Sequence, residues 1–502
     1  FANTHPDRMH TIGTLYGMSP TVVERCRVLE LGCGAGENLV PMSVFCPEST
    51  FVGYDLSGDA IAAALSRVEK LNLANLHFHQ GDICAMPKDI GLFDYIICHG
   101  VYSWVPRRVR LAIFDIIKKH LAPQGLAFVS YNTLPGWHLR NVARTLFRYH
   151  GEQFDDPIEQ VKQGRLLLNF IGNSLQEDDT PWSRVMGHAV RLMEQSEDEY
   201  LYHDFFAPVN EPILFKDFLR QARDAELEYV ADAEFNSLKT LTLPGPLQEM
   251  LDRLSADIES SEQYLDLVSG TSFRRSLLCH RGVSLNRTLG WTALEELNVR
   301  MVGTCDEGSV DLNEPQPVEF TSKNDELVTV GSPLAQAALF VVMASRPRSL
   351  PFEEVFERAC DLVDEVKDDE SRQKLGGNLL TCYRAGLVDL HGRQVACASA
   401  VVDQPRAHDF VRSECWTDVE YVTNPHHEII GMEPFAREML RLADGTNTHG
   451  DLVEGLVEAV QEGRLKVQID DQTCTDLELI RESVRAMLAL KLDILTRAAL
   501  FA

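Results

Sequence analysis

Between Val28 and Leu39 the chain reads Val-Leu-Glu-Leu-Gly-Cys-Gly-Ala-Gly-Glu-Asn-Leu: an apolar run of strand length that carries an acidic residue, three glycines spaced G-x-G-x-G, and the start of a helical pattern. Glycine permits the tight turn and a close approach of backbone to ligand, and a helix that starts there offers N–H groups with no partner inside the helix. The dinucleotide pattern G-x-G-x-x-G is not matched, because position 37 is Glu. Around this turn, Arg27–Leu31, Thr50–Asp55, Leu76–Gln80, Phe93–Cys98 and residues 125–131 read as strands, and residues 37–45, 59–71 and 107–121 as helices. That alternation predicts an α/β, Rossmann-like, doubly wound domain.

The expected strand ends line up on one ligand. Asp55 closes the second strand, where a carboxylate can accept hydrogen bonds from both hydroxyls of a ribose. Gly81-Asp82-Ile83 follows the third, placing a carboxylate and an apolar side chain against the amino edge and the face of an adenine. His99-Gly100 follows the fourth and frees a backbone carbonyl for an ammonium. Four consecutive ends therefore point to one nucleoside with an amino-acid tail.

Beyond the fifth strand, residues 141–204 turn helical and polar around the loop-like Gln176-Glu-Asp-Asp-Thr-Pro181, which predicts an inserted lid over about 141–205. A helix over 212–225, a strand over 227–231, a helical insertion over about 240–270 and a strand at Phe273–His280 would complete seven strands, so the first domain is expected to span residues 1–285. Residues 286–400 and 401–502 are expected to form two small α+β winged-helix-like modules. The register that superposes Pro333 on Pro434, Ala335 on Ala436 and Leu339 on Leu440 puts each proline after a strand-like run and before an apolar helix. Further helices are expected over 352–365 and 452–462, and Leu387-Val-Asp-Leu-His-Gly392 reads as a hairpin edge.

Charge bears on what such modules contact. With 47 Lys and Arg against 75 Asp and Glu the net charge is −28, which disfavours phosphate backbones, so protein contact is the better reading and no nucleic-acid partner is expected. The twelve-residue apolar run from Pro333 to Ala344 is too short to span a bilayer. The first residues are polar, so no leader is expected in this stretch. Twelve scattered cysteines without a C-x-x-C pair suggest reduced thiols and a cytoplasmic setting. His426-His427-Glu428 suggests a metal, but neighbouring histidines on a strand would face opposite ways, so no metal is expected.

With these motifs, residues 27–131 resemble the class I S-adenosylmethionine-dependent methyltransferases. The resemblance implies that Glu30, Gly32, Gly34 and Gly36 surround the methionine part of S-adenosyl-L-methionine and that Asp55 holds the ribose. It further implies that Asp82 and Ile83 hold the adenine, with Leu56 over its other face and His99 near the sulfonium, and that the product is S-adenosyl-L-homocysteine. Tyr16, His5 and Asn38 would contact the tail if the N-terminal segment folds over the pocket. The segments Thr11-Ile-Gly-Thr-Leu-Tyr-Gly17, Gly100-Val-Tyr-Ser-Trp-Val-Pro106, Ser130-Tyr-Asn-Thr-Leu-Pro-Gly-Trp137 and Tyr200-Leu-Tyr-His-Asp-Phe-Phe206 extend the resemblance to proteins with a methyltransferase regulatory domain. Within that group the chain is similar to rickettsial protein-lysine methyltransferases of an outer membrane protein.

The implied partner is a basic or lysine-containing protein, an outer membrane protein among the candidates. Oligomeric state is left open, a dimer included. Two other functions compete: a small-molecule methyltransferase whose extra domains dimerise, and a cofactor-sensing regulator whose winged modules touch DNA. For orienting the substrate, the candidates past strands four and five are Tyr102, Trp104, Tyr131, Asn132 and Trp137, with packing as the alternative for the two tryptophans. His203 is a candidate proton relay beside Asp204, the alternative being that the pair pins the start of the next helix.

Overall fold

A computed structural model describes residues 1–175, 178–194, 196–234, 244–255, 257–305, 316–417, 419–469 and 472–502. Its largest sheet has seven strands: β1 (Arg27–Leu31), β2 (Thr50–Asp55), β3 (Leu76–Gln80), β4 (Phe93–Cys98), β5 (Leu121–Asn132), β6 (Leu227–Asp232) and β7 (Phe273–His280). Their order is β3-β2-β1-β4-β5-β7-β6, parallel except for β7, which runs antiparallel to both neighbours. The chain leaves β1 toward β2 and β3 on one side and returns to β4 on the other. A crevice opens at such a switch point, and here it lies between the ends of β1 and β4.

Alternation along the central strands builds two cores. Val28, Tyr95 and Ile97 face Met9 and Ile12 of α1 (Pro6–Leu15) and Leu39 and Val40 of α2 (Leu39–Phe45). Their neighbours Leu29, Ile96 and Cys98 face the other way, joining Ile113 and Ile117 of α4 (Arg107–His120). The third helix, α3 (Gly58–Leu71), covers the first of these faces with Ile61 and Ala64. The helix expected from residue 37 begins at Leu39, because positive φ carries the glycine turn through Gly36.

Four helices follow β5: α5 (Trp137–Gly151), α6 (Pro157–Ser174), α7 (Pro181–Glu194) and α8 (Asp198–Phe206). They enclose a small core of their own that includes Phe147, Leu168, Met186 and Phe205. Gln176 and Glu177 of the expected loop, and residues 240–243 of the expected second insertion, lie outside the described residues. Next come α9 (Phe215–Asp224) and, before β7, two helices, Gly245–Leu254 and Ile258–Ser269, where one stretch was expected.

The remainder holds two further cores. In the first, Asn298–Met301 is the central strand of a three-stranded sheet with Leu350–Pro351 and Val388–His391 at its edges. The hairpin Val318–Thr321/Leu327–Val330 precedes the helix Pro333–Ala344, just as the hairpin Tyr421–Thr423/Ile429–Gly431 precedes Pro434–Leu442. Gln336, the polar break in the apolar run, is buried with its amide donating to the carbonyls of Gln316 and Val330. Among the described residues no helix is long and apolar enough to cross a membrane. His426 and His427 do not sit on a strand as expected: they form the turn between Tyr421–Thr423 and Ile429–Gly431, with His427 at φ +62°.

Candidate active site

The crevice is built first from backbone. Gly32, Gly34 and Gly36 have φ of +76°, +55° and +81°. A Cβ on Gly32 would stand 2.3 Å from Val101, and one on Gly36 2.5 Å from the Phe78 ring, so side chains are excluded by contact as well as by conformation. Asp55 is fixed from two sides: Oδ2 accepts from the Gly34 N–H at 2.9 Å and Oδ1 from the Ser57 N–H at 2.8 Å. Leu56 beside it is 71% exposed. Asp82 accepts from the Cys84 N–H at 2.8 Å, and Ile83 packs at the edge of the α4-side core.

Glu30, on β1, is buried. Its Oε1 accepts from Asn38 Nδ2 at 2.9 Å, whereas Oε2 is buried with no hydrogen-bond partner. Burial pushes its carboxyl up to about 7 against the opposing Asn38 hydrogen bond. At the end of β4, His99 Nδ1 lies 2.9 Å from Ser130 Oγ, which also accepts the Gly100 N–H at 3.0 Å. Burial lowers the His99 imidazole to about 4, so it is neutral near pH 7.

Asn38 is thus at the site, but Tyr16 is not. The ten residues of α1 span about 15 Å and carry Tyr16 to the opposite end of the sheet, where its carbonyl accepts from the Asn286 N–H and Arg287 lies 5.8 Å over its ring. His5 caps α1 by accepting from the Asp7 N–H at 3.1 Å.

A cavity of about 550 Å³ opens beside His99. Of the substrate candidates, Trp104, Trp137 and His203 line it, and the rings of Trp104 and His203 stand 5.2 Å apart. Tyr102, Tyr131 and Asn132 do not. Tyr131 shares the face of Val129, which points into the α4-side core, so its ring stacks at 4.0 Å on Phe218 and its hydroxyl meets Ser276. Tyr102 donates to Gln221, and Asn132 donates to Asn210 between α8 and α9. His203 and Asp204 do not pin the next helix, whose N-cap is Leu214.

Asp204, expected only as a neighbour of His203, is 1% exposed and lines the cavity. Its Oδ2 has no hydrogen-bond partner, and Arg140 Nη1 stops 3.9 Å away. Burial raises the carboxyl above its ordinary range, opposed by Tyr200 and Arg140. With Leu201 and Phe205 it lies on the buried stripe of α8, and a charge on an apolar stripe was the available signal. Phe1, Phe128, Tyr200 and Phe273 complete the aromatic lining.

The residues present fit an amino-acid-bearing nucleoside: a turn of three positive-φ glycines, two of which have no room for a Cβ, and in Glu30 a buried carboxylate oxygen with no hydrogen bond. Three family models match the chain: a methyltransferase domain over residues 23–195, a "Predicted methyltransferase regulatory domain" over 197–280, and "PKMT, C-terminal winged helix domain" over 403–500. An uncharacterised protein of Rickettsia prowazekii is 32% identical over 493 residues, covering 97% of this chain and 89% of the relative. The structure of PKMT2 from Rickettsia typhi in complex with AdoHcy superposes with a TM-score of 0.90 at 28% identity, covering 100% of this chain and 98% of that one. A second structure of the same protein gives 0.89 at 27% identity, covering 100% and 99%.

Proposed function

Because the chain belongs to the S-adenosylmethionine-dependent methyltransferases that carry a methyltransferase regulatory domain and a PKMT-type C-terminal winged helix, we propose that it methylates lysine side chains of a protein. When bound, the cofactor supplies a methyl group made electrophilic by its sulfonium. We assign Glu30 to the ammonium of the tail with Asn38 orienting it, Gly32, Gly34 and Gly36 to close backbone contact with the tail, and His99 to the sulfonium side. Asp55 takes the ribose, and Leu56, Asp82 and Ile83 take the adenine.

The observation that carries the lysine reading is Asp204, a buried carboxylate whose Oδ2 has only the distant Arg140 guanidinium and no hydrogen bond, inside an aromatic cavity next to the end of β4. A lysine amine, with an ordinary pKa of about 10.4, arrives protonated and must lose its proton before it can attack. Trp104, Trp137, Tyr200 and Phe273 wall the cavity and remove water from the cation, with Arg140 and Arg275 already over the Trp137 and Phe273 rings, and desolvation lowers the amine's pKa. Burial has already raised the Asp204 carboxyl, so the two affinities for the proton approach each other and Oδ2 can accept it. His99 is neutral, whereas Arg140 and Arg275, also in the lining, disfavour the protonated amine and so help it lose its proton, and His203, beside Trp104, holds that wall in place.

In this reading residues 1–285 carry the chemistry, while 286–400 and 401–502 grip a substrate protein of the surface or outer-membrane class before its export. The twelve free cysteines suit a reducing cytoplasm. The test is to incubate the chain with methyl-labelled cofactor, a lysine-rich surface protein and a metabolite extract, and to analyse products by mass spectrometry. Label on lysine supports the proposal; label confined to small molecules overturns it.

A further inference from the structure

Asn38 is held from the far end of the chain. Its Oδ1 accepts from Thr4 Oγ1 at 3.1 Å, from His427 Nε2 at 2.9 Å and from the Phe1 ammonium at 3.4 Å, while its Nδ2 donates to Glu30. An amide oxygen only accepts, so His427 carries its proton on Nε2. His427 sits at the tip of the hairpin turn of the C-terminal domain, 2% exposed, with its ring 5.1 Å from that of His5. The turn is braced. Asn424 Oδ1 accepts the N–H groups of both His426 and Glu428, and its Nδ2 donates to Glu428 and to the Ala498 carbonyl. From the middle domain, Arg393 donates to the Pro425 carbonyl at 2.8 Å and to the Phe45 carbonyl at 3.0 Å, tying the turn to the end of α2, and Arg300 pairs with Glu428.

Resting on the cofactor reading above, we propose that His427 is a positioning residue for the cofactor's ammonium end: it fixes the Asn38 amide so that Glu30 Oε1 is occupied and Oε2 is left for the ligand. Without the imidazole N–H, Asn38 Oδ1 loses its shortest donor and keeps only Thr4 Oγ1 and the more distant Phe1 ammonium, so the amide is held less firmly against turning its oxygen toward Glu30, where two acceptors repel. The C-terminal winged helix is then part of the catalytic centre as well as a grip for substrate. Cofactor binding and docking of that domain favour each other by the same factor.

His427→Gly removes the ring at a left-handed position that glycine adopts freely, and His427→Gln restores an N–H donor. By calorimetry with S-adenosyl-L-homocysteine, His427→Gly is expected to weaken binding about 3- to 10-fold, the range of one lost hydrogen bond. The cofactor KM should rise by the same factor with kcat held, and His427→Gln should recover most of the loss. In an Asn38→Ala background the His427→Gly change should add nothing. An unchanged dissociation constant in His427→Gly, or the full loss appearing again in the Asn38→Ala background, overturns the inference. Glu30→Ala serves as reference: if it leaves affinity intact, the pocket assignment itself fails; if it weakens binding and His427→Gly does not, only the role of His427 falls.

Discussion

Glu30 and Asp204 are both buried carboxylates with one oxygen lacking a hydrogen-bond partner, but they arise from different kinds of structure. Glu30 lies on a central strand next to a turn whose path the glycines dictate, and it is backed by an amide eight residues away. Asp204 lies on an inserted helix, and its surroundings come from α5, α8, the end of β4 and the start of β7, more than a hundred residues apart. The first arrangement follows from backbone conformation and suits a constant ligand. The second depends on packing between side chains, the kind of surface that can change with the substrate.

Separating the two carboxylates by mutation tests this division. Asp204→Asn keeps shape and removes the proton acceptor, so kcat is expected to fall about 100-fold or more, while calorimetric affinity for S-adenosyl-L-homocysteine stays near wild type. A loss of cofactor affinity instead would place Asp204 in the wrong half of the site. Glu30→Gln should do the reverse: removing a charged acceptor weakens cofactor binding about 10- to 100-fold, read as a raised dissociation constant and cofactor KM with kcat less affected.

A pH titration distinguishes them further. The Glu30 carboxyl is raised in the folded state to about 7, so folding favours its protonated form. The ligand-free protein should therefore lose stability as pH rises from the ordinary carboxylate range through about 7, the sense opposite to that of a salt-bridged carboxylate. Affinity for an ammonium-bearing cofactor should climb over the same interval, because the ionised form is the one that binds it. In Glu30→Gln both slopes should flatten; a slope that persists would assign the titration to another group.

The sequence made the cradle legible because strand ends and glycines are local signals. Gly32, Gly34 and Gly36 all have the positive φ that their spacing requires, and Asp55 reaches back to the Gly34 N–H. Tyr16 was misplaced because one rigid helix separates it from His5, a distance that proximity in sequence conceals. Asp204, Tyr200 and Arg140 were not legible as a site, since only the packing of the helices after β5 brings them beside His99. The turn at His427 was hidden for the opposite reason: its two histidines look like strand residues until Asn424 and Glu428 are seen to close a loop.

The smallest effect compares two aromatic residues from the same candidate set. Tyr131 is buried on the α4 side of the sheet, where its hydroxyl exchanges one hydrogen bond with Ser276 at 3.0 Å. Tyr131→Phe should cost about 1 kcal/mol of stability and leave activity per folded molecule unchanged. Trp104→Leu, at the cavity wall, should instead raise the protein-substrate KM about 3- to 10-fold through loss of the ring face, with the melting point less affected. If Tyr131→Phe moved KM as Trp104→Leu does, the boundary between core and cavity drawn through β5 would be wrong, and Asn132 would return as a substrate contact.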